Sequence, residues 1–300
     1  MLKLINRALI VLSIVSVTSV FSDSKPIGKG KGFFQFTTKY IRAKEYYTPA
    51  GDVINIPTIK DYTTSLYGEW GINDQVSLIL NLGLYRHWVI NEQITANKQN
   101  NTFNRLSGKV IRSFGDSELG VKIGLGKAKK WDLATSLSVG LPLSEWKTER
   151  KEHLYILPDG AIVNDDEGSF AIPIGNDDYP ITIAISGDFS PIKAPIELSA
   201  SLGWQNRRYG LGSKNYSDQV VYTAKIGYPH NRAYYILSLQ GQEPIRNGNI
   251  FKDTRFLGFG PQVYVRVTKN VGVLGGIETA VRSQQTLRAL AFKCGFYYKL

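Results

Sequence analysis

The sequence predicts a closed, antiparallel up-and-down β-barrel of about twelve strands that crosses a membrane, preceded by an export signal. Three observations predict it. Apolar and polar residues alternate with a period of two over nearly the whole chain after position 32. The connections between these alternating segments are by turns short and long. The first 22 residues have the layout of a cleavable leader.

Composition removes the competing classes. The chain has 300 residues, 12% aromatic and 43% hydrophobic, too rich in core-forming side chains for a disordered polymer. Beyond the leader no run approaches the roughly 18 apolar residues of a spanning helix. Cys294 is the single cysteine, so a disulfide scaffold is excluded. The net charge of +11 is dispersed through turns and loops, with no module for reading bases, so nucleic acid is not expected as a partner.

Met1–Arg7 carries Lys3 and Arg7 and no acid, and Ala8–Phe21 is an unbroken apolar and small-residue stretch. Ser22 offers a small residue for cleavage before Asp23. No cysteine follows, so no lipid is attached there. The expected organisation is residues 1–22 as signal peptide, 23–31 as a periplasmic tail or short plug, and 32–300 as the barrel. Loss of Lys3 and Arg7 lowers the net charge from +11 to +9.

Twelve strand patterns follow. In the first half, Phe34–Tyr40, Tyr62–Trp70, Val76–Leu84, Leu119–Leu125 and Leu133–Leu143 each place apolar side chains at every second position. In the second half the same holds for Ile181–Ile185, Ile196–Trp204, Val220–Tyr228, Tyr235–Leu239, Leu257–Val267, Val273–Val281 and Leu290–Tyr298. Long loops are expected at Tyr47–Asp61, Val89–Phe114 and Ser144–Tyr179, and tight turns at Gly71–Asp74, Lys127–Lys130 and Lys269–Asn270.

The polar parity is made mostly of Gly, Ser, Ala and Thr rather than long solvated side chains, which suits a crowded inner wall. The charges within strand centres share that parity, Arg86 lying on the other near a strand end: Lys39, Glu69, Glu118, Lys122, Glu197, Lys225, Arg266, Glu278 and Lys293. A Lys or Arg facing mid-membrane lipid costs about 2–4 kcal/mol, which explains their exclusion from the other face. Trp70 and Trp131 lie beside short turns, Trp88 and Trp204 beside long loops, all on the apolar parity, as two aromatic girdles would require. Five basic against four acidic lumenal residues point to internal ion pairing. Glu118 and Lys122 lie about 13 Å apart by strand rise, too far to pair with each other.

The C-terminal run Lys293–Leu300 resembles the terminal signal read by the outer-membrane barrel assembly machinery. Gly295, Tyr298 and Leu300 stand at its characteristic places, although Phe or Trp is usual where Leu300 stands. Phe114-Gly115-Asp116-Ser117-Glu118-Leu119-Gly120-Val121-Lys122 resembles the G-D-x-x-L-G-x-K strand opening of the meta-pathway phenol-degradation outer-membrane family. Tyr67–Ile72, Gly140–Leu143 and Phe256–Pro261 resemble further segments of that family in the same order, so the resemblance covers roughly residues 32–300.

That resemblance implies an outer-membrane barrel passing small hydrophobic or aromatic compounds without cofactor or metal. The expected partners are outer-membrane lipid and, for an exported chain of net positive charge, anionic lipopolysaccharide, with the barrel assembly machinery reading the C-terminal run. The alternatives are a structural or surface-interaction barrel without an open pore, and a lipid-modifying enzyme built around His87, which alternation puts on the inner parity. The loop 144–179 carries Asp159, Asp165, Asp166, Glu167, Asp177 and Asp178, but without EF-hand spacing it reads as a solvated surface loop.

Overall fold

The computed structural model of the chain describes residues 25–300 apart from 49, 98–101, 107, 129, 145–146, 151–152, 157–161, 166–168, 173–177, 192–194, 208–215, 246–253 and 285. The leader, residues 1–22, lies outside the described residues, as do Asp159, Asp166, Glu167 and Asp177 of the acidic loop.

Twelve staves form one closed ring. They are β1 (Gly32–Tyr47), β2 (Val53–Gly71), β3 (Val76–Ile90), β4 (in two pieces, Lys109–Ser113 and Ser117–Ala128), β5 (Trp131–Leu141) and β6 (Ile181–Phe189). Then follow β7 (Glu197–Asn206), β8 (Gln219–His230), β9 (Ala233–Pro244), β10 (Arg255–Arg266), β11 (Val271–Gln284) and β12 (in two pieces, Thr286–Arg288 and Leu290–Lys299). Each pairs antiparallel with its sequence neighbour, and β12 returns to β1 through the register Phe33↔Lys299 to Ile41↔Ala291. No sheet edge is left in the ring, the condition for β-structure in hydrocarbon.

The side chains sort by face. Leu78, Leu119, Leu137, Ile183, Leu202, Ile226, Leu237, Ile277 and Phe296 are all exposed on the outer wall, whereas Gln35, Thr37, Glu69, Ser77, Lys122, Ser238 and Gln240 are buried inside. An exposed apolar wall around a polar interior is the reverse of a soluble barrel and identifies the transmembrane type.

Three expectations are corrected. The loop expected at Tyr47–Asp61 shrinks to residues 48–52, because β2 starts at Val53. Pro57, which reads as a strand breaker, sits within a register irregularity opposite Lys44, where a missing amide donor is tolerated. The long loops expected at Val89–Phe114 and Ser144–Tyr179 contain strands: Gln93–Asn97, Thr102–Leu106, His153–Ile156 and Ile162–Asp165 form a separate four-stranded sheet, and Lys147–Arg150 pairs with Ser169–Ile172.

The third correction concerns β3. Thr64 pairs with Tyr85 but Ser65 pairs with Gly83, so Leu84 is an extra residue in a bulge. One inserted residue exchanges the two faces beyond it. Arg86 and Trp88 therefore turn inward, and Tyr85 and His87 outward. Trp88, expected in the outer girdle, is fully buried in the lumen against Ile41, Ile59 and Ile111. His87, expected on the inner parity, stacks instead on Tyr62 with ring centroids 5.9 Å apart.

The outward face of β6 gives a direct check. Ile183→Arg places a cation in the middle of the apolar wall and should destabilise the barrel by about 2–4 kcal/mol in urea titrations of vesicle-inserted protein. A loss below about 0.5 kcal/mol would mean that Ile183 does not face lipid.

Candidate functional site: the barrel lumen

The lumen is layered. Toward the long loops it is dry: Ile41, Ala43, Tyr46, Ile56, Ile59, Trp88, Ile111, Leu287 and Ala291 pack together. Toward the short turns it is aromatic: Tyr264 and Tyr297 are buried with Ile236 and Leu274, and Phe33 and Tyr234 pack against them. Between and beside these layers lie the charges.

Glu69 of β2 and Lys122 of β4, on next-neighbouring staves, are joined at 2.7 Å, both buried, and the Tyr67 hydroxyl donates to the same carboxylate at 3.2 Å. Lys122 thus pairs over β3 and not with Glu118 on its own stave, which accepts a hydrogen bond from Ser138. Glu197 accepts from the Tyr234 hydroxyl at 2.5 Å, and Glu278 accepts from Gln240 Nε2 at 2.6 Å. Lys39 and Lys293 are register partners on β1 and β12, with Glu278 the acid acting on Lys293. Lys225 lies in register between Ser199 and Ser238 on the inner wall. Arg266 sits at the short-turn end near Tyr297.

Two bidentate pairs are not legible from alternation. Arg86 donates to Asp61 through Nε at 3.2 Å and Nη2 at 2.8 Å, and its guanidinium lies 5.6 Å from the Trp88 ring. Arg207 donates to Asp178 at 2.6 and 3.1 Å, with Tyr216 stacked 4.4 Å away. The signal for the first was available: a charge on the greasy parity of β3, next to Gly83, announces the bulge. The second had none, because Asp178 closes a loop whose course the sequence does not show.

The free space is divided. A cavity of about 100 Å3 lies between Lys39, Asp61, Arg86, Glu118 and Asp178. A second, of about 50 Å3, touches Lys39, Gln242, Glu278 and Leu287. The largest, about 550 Å3, opens at the short-turn end and is lined by Phe33, Tyr234, Tyr264, Tyr297, Arg266 and Lys299. Its rings form a continuous cluster: Phe33 lies 5.9 Å from Tyr297 and 6.2 Å from Tyr67, and Tyr264 lies 5.9 Å from Tyr297. The Lys299 ammonium stands 5.7–5.9 Å from the Tyr297 and Phe33 ring centroids.

The N-terminal segment borders this chamber. Ile27 donates its amide to Ser77 Oγ at 3.1 Å, Lys29 to Asp74 Oδ1 at 3.1 Å, and Gly30 to the Gly71 carbonyl at 2.9 Å. Lys25 and Ile27 line the cavity wall.

On the outer wall, Trp70, Trp131 and Trp204 are each about 40% exposed. Gly295 pairs with Thr37, and a Cβ there would lie 2.0 Å from the Phe36 carbonyl, so the closing seam requires a glycine. Tyr298 and Leu300 are exposed beside it, and the Leu300 amide bonds the Gly32 carbonyl at 2.8 Å. Among the described residues, no group of three or more His, Cys, Asp or Glu side chains is arranged to hold a metal ion.

No protein-family model matches the chain, and no curated protein matches it. Solved structures do match. An outer membrane channel from Pseudomonas putida F1 superposes with a TM-score of 0.62 at 8% identity, covering 93% of this chain and 98% of that one. The CymD monoaromatic hydrocarbon channel gives 0.52 at 8% identity, over 91% and 89% of the two chains. The P. putida toluene transporter TodX gives 0.50 at 8% identity, over 91% and 90%. At these identities the likeness is one of fold, and it establishes the outer-membrane barrel architecture over about nine-tenths of the chain.

The Arg86–Asp61 pair is the most testable element of this interior. Asp61→Ala leaves a buried guanidinium without its carboxylate and should cost about 3–5 kcal/mol in the same urea titration. Replacing both partners by Leu and Met should recover most of that loss. Equal stability of the single and parent proteins would remove the pair as a structural element.

Proposed function

We propose that the chain is an exported outer-membrane channel for passive passage of small hydrophobic or aromatic compounds, cleaved near Asp23 before insertion. The observation that carries this reading is the aromatic chamber of about 550 Å3 at the short-turn end. Its walls combine four aromatic rings with cations such as Arg266 and Lys299 and with the carboxylates of Glu69 and Glu197. An aromatic molecule leaving water gains ring contacts there, and each aromatic pairing contributes about 0.5–1.5 kcal/mol beyond burial. Two of the superposable structures are described as a monoaromatic hydrocarbon channel and a toluene transporter, which agrees with this reading. So does the resemblance of Phe114–Lys122 and its companion segments to the meta-pathway phenol-degradation family, to which we assign the chain on those residues.

Within this reading Gly295, Tyr298 and Leu300 serve the assembly machinery, and Trp70, Trp131 and Trp204 anchor the wall at the lipid boundaries. The nine charges named from the sequence line the interior. His87, stacked on the outward ring of Tyr62 and tilted against that of Tyr85, belongs in this reading to the girdle.

A second reading is favoured by one observation. The dry layer around Trp88 and the small volume of the two upper cavities describe a filled interior, as in a structural barrel without a pore.

Uptake measurements separate the two. In proteoliposomes the mature chain should admit a labelled monoaromatic compound faster than protein-free vesicles do. Tyr264→Ala with Tyr297→Ala should raise the half-saturation concentration about 2- to 10-fold, the equivalent of one ring contact. Uptake equal to that of protein-free vesicles, together with no single-channel conductance even after deletion of residues 25–31, would establish the filled barrel instead.

A further inference from the structure

The outer wall changes character abruptly toward the long loops. Phe292, Tyr40, Tyr62 and His87 lie in one cross-strand row over β12, β1, β2 and β3. The Tyr40 and Tyr62 rings are 4.6 Å apart, and His87 stacks on Tyr62. This is the aromatic edge of the lipid-facing band. One side-chain step above it, Arg42 and Lys60 stand directly opposite each other on β1 and β2. Arg112, opposite His87 on β4, is exposed on the same face. Strand spacing and rise put it about 12 Å from Lys60.

None of these three cations is held by an acid among the described residues. Glu45, the acid further along β1, is already bound to Arg288 at 3.2 Å. Like charges placed directly across a strand pair repel, so Arg42 facing Lys60 is unfavourable until an anion lies between them. On the inner side of the same wall the habit is the contrary one, with Asp61 of β2 and Arg86 of β3 neutralising each other. Arg42, Lys60 and Arg112 thus stand on the outer surface, just above the aromatic edge, without an acid among the described residues. That is the depth at which the head groups of the surrounding leaflet lie.

We infer that Arg42, Lys60 and Arg112 form a docking site for the phosphate groups of lipopolysaccharide in the outer leaflet. The guanidinium groups bind phosphate oxygens in pairs and the lysine supplies a point charge. The rings of Tyr40, Tyr62 and Phe292 below receive the acyl chains. The site rests on the reading that the long-loop end faces the outer leaflet. Membrane fractionation tests that reading separately, whereas binding in micelles tests the site alone.

The experiment titrates the mature chain in detergent micelles with diphosphoryl lipid A, with the same lipid stripped of phosphate, and with phosphatidylglycerol, reading bound lipid by native mass spectrometry. Diphosphoryl lipid A should bind at least tenfold more tightly than either of the others. Arg42→Gln, Lys60→Gln and Arg112→Gln combined should remove that preference, and Arg232→Gln with Lys269→Gln at the opposite end should keep it. Heat-modifiable mobility verifies that each variant is folded, and if the triple variant is not, the comparison of the three lipids on the parent protein decides. Equal binding of phosphorylated and phosphate-free lipid overturns the site. Equal binding of phosphatidylglycerol overturns lipopolysaccharide as its occupant, and an unchanged preference in the folded triple variant overturns the assignment of these residues.

Discussion

Every other feature of this molecule follows from the ring of main-chain hydrogen bonds closed between β1 and β12. In hydrocarbon an amide without a partner has no water to turn to, and each such group costs several kcal/mol. Twelve antiparallel staves satisfy that demand only if the last meets the first in register. They do so from Phe33↔Lys299 to Ile41↔Ala291, across a seam tight enough to require Gly295. The even strand number also brings both ends of the barrel to the short-turn side, where residues 25–31 are bonded to the turn at 71–75 and to Ser77.

Closure decides what each face can hold. Once the apolar positions look outward, the charges of the same staves are enclosed together, and an enclosed charge is tolerable only with a partner. The interior answers with pairs that span neighbouring or next-neighbouring staves, Glu69 with Lys122 and Asp61 with Arg86, and with hydroxyl and amide donors for Glu197 and Glu278. These contacts stitch the wall across its width. They also divide the lumen, and the aromatic chamber at one end is the largest of the three cavities among the described residues.

The architecture was legible because a period of two is a direct imprint of the pleat. Strand number, the parity facing lipid and the sides of short and long connections all follow from it. What alternation could not carry was any departure from strict period. Leu84 adds one residue to β3, and from there to Ile90 the reading of faces was inverted, sending Trp88 to lipid and hiding the role of Arg86. The upper part of β2, Val53 to Asp61, continues above the membrane band, and the irregularity around Pro57 breaks its alternation. Contacts between distant segments were beyond reach for a different reason: Asp178 meets Arg207, and Thr102–Leu106 meets His153–Ile156, through chain paths that local pattern does not encode. The lumenal charges could be named singly, but their partners depend on the stagger of the ring.

The most direct test of the outward apolar face uses the tryptophans. In vesicles of brominated lipid, a variant retaining only Trp204 should be strongly quenched, and a variant retaining only Trp88 should fluoresce as in unbrominated lipid. Strong quenching of Trp88 with none of Trp204 would mean that the faces have been assigned the wrong way round.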